Sequence, residues 1–162
     1  MLTDHDTIDG ARALLQSGEP VIVGQEVMTS QGELMGLFLE KAVPAGMSPE
    51  DTVAAIKEQG GLVCLQHPYD SRRRNLQETA IERIASAIDL VEVMNGRSTD
   101  AANRRAMELR QTLGVPGGAG SDAHSLSEIG RIYVEVQPFT GPRDFLVNLR
   151  DAKIVVRRRR VF

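Results

Sequence analysis

"GLVCLQHP" (Gly61 to Pro68) is an apolar run that stops at a histidine and a proline. Its length and flanks predict a buried strand, and the glycines before it mark the end of a helix. That helix is legible in "MSPEDTVAAIKEQGG", with Ser48 as N-cap, Pro49 at the first helical position, acids in the first turn and Gly60 as the stop. Working outward, "EPVIVGQE" (Glu19 to Glu26) and "GELMGLFLE" (Gly32 to Glu40) predict two earlier strands with "MTSQG" as the turn between them. Downstream, Leu76 to Ala87 has apolar residues at helical spacing and leads into a strand, "LVEVMN". "STDAANRRAMELRQTLG" predicts another helix, starting at Ser98 or Thr99 and ending at Gly114. "VPGGAG", "RIYVEVQ", a helix near Pro142 to Asp151 and "KIVV" complete the pattern. Strands separated by helices imply an α/β chain with largely parallel pairing.

Composition frames that pattern. A chain of 162 residues with 41% hydrophobic and 25% charged residues predicts a single globular domain over 1–162 that needs no disulfide. The one cysteine, Cys64, is expected to lie buried in its strand and fits a reducing, cytoplasmic compartment. No stretch has the length and apolarity of a membrane span. Net charge is −3, yet from Arg143 onward seven Arg or Lys face two Asp. The remainder is therefore acidic, which argues against a duplex-binding surface over most of the chain. The run Arg157 to Arg160 is open to three readings: a nucleic-acid contact, a clamp onto acidic surface, or a solvated strand or tail.

The chain has three histidines, His5, His67 and His124, and each stands where an apolar run gives way to polar residues. Glu26 closes "VIVGQE" and Asn95 closes "LVEVMN" in the same way. In parallel α/β folds the carboxyl ends of the strands share one face, where ligands bind. The reading thus gathers His, Glu, Asn and Asp side chains into one region. Imidazole and carboxylate together suit zinc, manganese or iron, and the lack of a cysteine cluster argues against structural zinc or an iron–sulfur centre. Asp122-x-His124 follows Gly118 and Gly120, which permit an irregular turn. Arg72, Arg73 and Arg74 follow "HPYD", and these, with Arg97, are candidates for holding phosphate, though a solvated basic loop explains them as well.

"TDHD" (Thr3 to Asp6), "GQE" (Gly24 to Glu26), "HP" (His67, Pro68), "VEVMNGR" (Val91 to Arg97) and "GSDAH" (Gly120 to His124) followed by "EIG" resemble the polymerase and histidinol phosphatase (PHP) domain family. The resemblance covers most of the chain. It implies a distorted (β/α)7 barrel, hydrolysis of phosphoesters, and one to three divalent ions, Zn, Mn, Mg or Fe. It also implies His5, Glu26, His67, Asp122 and His124 as metal ligands, with Glu26 where the family often bridges two metals and Glu26, Asp122 and His124 as the catalytic set. Asn95 matches a position beside the site and is not counted as a ligand.

Two departures stand out. The family's opening strand with a His-x-His pair would precede Met1, and the hairpin after Glu26 carries Glu33 and Met35 where many members have a histidine. The resemblance therefore implies a barrel incomplete at its N-terminus, from a fragment, a misplaced start or a natural shortened form, with an open edge for a second copy. Three functions are compatible: a phosphoesterase acting on a small phosphorylated metabolite or nucleotide, a noncatalytic remnant serving as a binding or regulatory module, and a module that trims nucleic acid within a polymerase system. On the first, activity is expected to be impaired by the missing ligands.

Overall fold

The computed structural model describes residues 1–157, so Arg158 to Arg160 of the terminal basic run lie outside the described residues. The chain divides into two compact units, one formed by residues 1–66 and 74–89, the other by 67–73 and 90 onward.

The first unit opens with β1 (Leu2–His5) and α1 (Asp9–Gln16), then β2 (Val23–Thr29) and β3 (Gly32–Leu37), α2 (Pro49–Glu58), β4 (Leu62–Leu65) and α3 (Glu78–Ile84). Its strands pair in the order β1-β2-β3-β4. Only β1 and β2 are parallel; β2 with β3 and β3 with β4 are antiparallel. The expectation of largely parallel pairing is thereby corrected for this unit, because the short turn at Ser30 and Gln31 forces a hairpin, as two-residue connections do. The hairpin also lengthens β2 to Thr29, so Glu26 sits mid-strand rather than at a strand end.

The α2 helix forms as its local chemistry demands. Ser48 Oγ accepts the Asp51 N–H at 3.1 Å, Pro49 stands at the first position, and Gly60 adopts φ +74 beyond the end. Its Ile56, fully buried, packs on β3 at Gly36, where an added Cβ would lie 3.1 Å from the isoleucine side chain. Val27, Leu34, Leu37, Val63 and Leu65 complete this core, each such side chain contributing about 1.5–3 kcal/mol through burial. Cys64 is buried in β4, as expected.

The second unit holds β5 (Leu90–Asn95), α4 (Asp100–Leu113), β6 (Gly117–Gly120), β7 (Ile132–Glu135), α5 (Pro142–Leu149) and β8 (Lys153–Val156). Here β5 and β6 are parallel, while β7 and β8 form an antiparallel pair. Thr99, one of the two caps expected for α4, accepts the Ala102 N–H at 3.2 Å, and Gly114 ends the helix with φ +69. Helix α4 packs on β5 through Ala102 and Ala106, and Phe145 and Leu149 of α5 are also buried. Among the described residues no helix is long and apolar enough to cross a membrane.

Candidate metal centre

In the first unit, strand register creates the site. His5, the last residue of β1, pairs with Glu26 in a parallel ladder, so both side chains share one face. Glu26 lies opposite Met35 on β3, and Glu33, two residues from Met35, projects on that same face by the period of two. The His5 Nδ1 is 3.5 Å from Glu26 Oε2 and 3.3 Å from Glu33 Oε1. One ligand atom from each of these three residues lies within 4.8 Å of the others.

Two devices hold the cluster. Asp6, at φ +54, turns the chain after β1; its N–H donates to the Glu26 carbonyl at 2.9 Å, and its Oδ1 accepts the Met28 N–H at 2.8 Å. Asp tolerates this left-handed geometry better than most residues. On the other side, the Glu33 N–H donates to the Arg74 carbonyl at 2.7 Å. Gly32, at φ +114, lets residues 74–76 approach so closely that an added Cβ would lie 2.2 Å from the Asn75 carbonyl oxygen. Arg74 itself is exposed.

Glu26 and Glu33 are 9% and 6% exposed. Two carboxylates this buried on one face repel each other, and a cation between them relieves that cost. Two oxygens and an imidazole nitrogen are a donor set that suits manganese, zinc or iron. The chemistry of the three side chains therefore fits a divalent ion. Glu33 was present in the sequence but not counted as a ligand; the signal that reveals it is the hairpin register, which puts it diagonal to Glu26.

In the second unit, His67 is 5% exposed and adopts φ +28, starting a turn in which the Asp70 N–H donates to the His67 carbonyl at 3.1 Å. The His67 N–H donates to Glu92 Oε2 at 2.9 Å. Asn95 Nδ2 donates to the same oxygen at 3.0 Å and to Asp122 Oδ2 at 3.4 Å. Loss of water around Glu92 pushes its pKa up, against the hydrogen bond from Asn95. Asp122, at φ +49, and His124 leave β6 together; His124 Nδ1 is 2.9 Å from the Asp122 main-chain carbonyl and 3.6 Å from its Oδ1. His124 is about half exposed.

The arginines are differently employed. Arg72 grips Asp70 with two contacts of 3.1 Å and also donates to the Arg97 carbonyl. With the Ser98 hydroxyl at 3.0 Å, that guanidinium holds the Asp70 carboxyl well below the usual carboxylate range. Arg73 forms an ion pair with Asp122. Arg97 reaches Glu128 at 3.3 Å, while Glu128 accepts the His124 N–H at 2.8 Å. The structure thus joins His5 with Glu26 in one unit and Asp122 with His124 in the other, and it shows Arg72 and Arg73 already engaged by carboxylates. Asp70 and Glu92, absent from the sequence reading, organise the second set.

Several known proteins are similar to this chain. The PHP-associated family model (PHP_C) matches residues 100–154. The uncharacterized protein MJ1587 of Methanocaldococcus jannaschii is 38% identical over 120 residues, covering 68% of this chain and 68% of that one. The uncharacterized protein MJ0417 of the same organism is 31% identical over 137 residues, 77% of this chain and 58% of its own length. A crystal structure from Bacteroides vulgatus, a two-domain protein containing a predicted PHP-like metal-dependent phosphoesterase, superposes with a TM-score of 0.70 at 16% identity. It covers 96% of this chain, and the chain spans 55% of that protein. The chain belongs to the PHP family, with an α/β fold.

Proposed function

We propose that this chain is a metal-dependent phosphoesterase, acting on a small phosphorylated metabolite or a nucleotide, in which His5, Glu26 and Glu33 hold a divalent ion. The observation that carries the reading is the buried two-carboxylate, one-imidazole cluster on the face shared by β1, β2 and β3. His67, Asp122 and His124 are the further proposed donors, and the accompanying fold reading is the family's distorted (β/α)7 barrel. A bound divalent ion supplies Lewis acidity toward phosphate oxygens and acidity to water near neutral pH. The chain's own groups do the positioning. Glu26 and Glu33 set negative charge at fixed places on rigid strands, which is where precise geometry is best kept. If His124 Nδ1–H donates to the Asp122 carbonyl, the lone pair is on Nε2, facing outward to take a proton or a ligand bond. Among the arginines, Arg97 is held less tightly than Arg72 and is the better candidate for substrate phosphate.

The test is metal content and p-nitrophenyl phosphate turnover of the chain loaded with Mn²⁺ or Zn²⁺. E26Q and E33Q are expected to lose both, about tenfold or more each; turnover that survives E26Q/E33Q together overturns the reading. A second copy of the chain is a further proposed partner through the outer edge of β1, which pairs only with β2 among the described strands.

A second reading, a noncatalytic binding or regulatory module, is favoured by one observation: Arg73 already neutralises Asp122. On that reading the chain binds one ion and turnover stays at the level of free metal.

A further inference from the structure

A cavity of about 230 Å³ opens in the second unit, lined by Arg97, Arg131 and Arg157 together with Glu128, Ser121 and Ile132. Three guanidinium groups against one carboxylate leave its wall with a net positive charge of two. They come from separate places in the chain: after β5, before β7 and after β8.

Arg131 and Arg157 are adjacent across the end of the β7–β8 pair. Ile132 pairs with Val156, and the Arg157 N–H donates to the Arg131 carbonyl at 2.7 Å. Like charges at facing positions of two strands destabilise the pair. Each side chain is nevertheless held in place. Arg131 Nε donates to the Ser127 carbonyl at 2.9 Å, and its two amino groups make no hydrogen bond among the described residues. Arg157 donates to the Tyr133 hydroxyl at 3.2 Å and lies 5.1 Å from the centre of that ring. Arg97 is engaged through one amino group, by Glu128 alone among the described residues. The Ser121 hydroxyl is committed, donating to the Ile132 carbonyl at 3.0 Å while accepting its N–H at 3.1 Å. The available donors of this cavity are therefore guanidinium forks, which match an oxyanion with acceptors on several sides.

We propose that this cavity is a binding site for a phosphate group, gripped by Arg97, Arg131 and Arg157, with Glu128 as the internal carboxylate the ligand displaces from Arg97. It rests on the reading of Arg97 as a substrate-phosphate residue and extends it to Arg131 and Arg157, at a place that none of His5, Glu26 or Glu33 lines. Two sources share this chemistry: free inorganic phosphate and the phosphate of a small monoester.

The test titrates the full chain by calorimetry with inorganic phosphate, and separately with phenyl phosphate, both in EDTA so that hydrolysis is absent. Saturable binding of either supports the site, and the tighter of the two identifies the source; binding of neither overturns it. R131A/R157A is expected to weaken binding tenfold or more, and wild-type affinity in that variant overturns the proposal. Should that variant fail to fold, E128Q keeps all three arginines and is expected to tighten binding severalfold; unchanged or weaker binding overturns it. R131A/R157A is expected to keep the wild-type content of Mn²⁺ when loaded with that ion. If it loses the ion together with phosphate, the arginines belong to the metal cluster and this proposal falls while the metal reading stands.

Discussion

The two units treat buried carboxylates in opposite ways. In the first, Glu26 and Glu33 project from neighbouring strands toward a half-exposed histidine. In the second, Asp70 and Asp122 each receive an arginine from the same short segment, Arg72 and Arg73. A carboxylate gripped by an arginine has its countercharge supplied by the chain, whereas two carboxylates on one face beside a histidine offer a place for a cation. The difference makes the strand cluster the stronger metal candidate, although three of the five ligands expected from sequence, His67, Asp122 and His124, lie in the other unit.

The largest expected effect comes from breaking the support of that cluster. Gly32→Ala places a Cβ against the Asn75 carbonyl and forces a side chain into a left-handed conformation. It is expected to cost about 3 kcal/mol or more, read as the shift in urea midpoint, and to lower metal content by displacing Glu33. A midpoint within about 0.5 kcal/mol of the wild type means the 74–76 segment yields freely.

Asp70→Asn attacks the other unit. Losing the carboxylate strands Arg72 and the Ser98 hydroxyl, at a cost of about 1–3 kcal/mol at pH 7. Because the folded-state pKa is depressed, the wild-type carboxylate stabilises the fold above its unfolded pKa near 4, and that contribution is lost as pH falls through the lower folded value. The gap between wild type and D70N in thermal midpoint is therefore expected to be full at pH 7 and to close in strong acid. A gap that is the same at pH 7 and pH 2 rules out the charge-based account.

Arg73→Ala tests the contrast directly. Removing the guanidinium leaves Asp122 without its ion-pair partner, and is expected to raise metal uptake by a second equivalent or several-fold in affinity while lowering stability by about 1 kcal/mol. Unchanged metal binding by mass spectrometry or calorimetry means Arg73 does not compete for Asp122. The smallest effect is expected from Thr99→Ala, about 1 kcal/mol from one lost cap on α4, with metal content unaltered.

What sequence made legible was local chemistry. Ser48 and Thr99 announce their helices because a cap needs only the next three residues, and Gly60 and Gly114 stop them through their own backbone freedom. Helix α1 escaped notice since it has no side-chain cap, a glycine in its first turn, and Leu14 and Leu15 turned outward. Parallel pairing holds for β1 with β2 and β5 with β6 but not for β3, because parallel or antiparallel is decided by partners that periodicity does not name. The site was legible as a list of residue types. Glu33 joined it only through register, and Arg72 and Arg73 changed meaning because the partners they hold, Asp70 and Asp122, were invisible as partners until the turns were drawn.

The seven residues from His67 to Arg73 belong to the second unit, while the chain on either side of them belongs to the first. During synthesis this segment leaves the ribosome before β5 and β6 exist. Arg73 must wait 49 residues for Asp122, and Arg72 waits 25 for the Arg97 carbonyl. At translation rates of about 5–20 residues per second, the nascent chain spends seconds with its first unit nearly complete and this basic loop without its later anchors. The same threading means that no single cut yields the two units as separate gene fragments: a break after Asp89 would deprive the second of Asp70 and of both arginines.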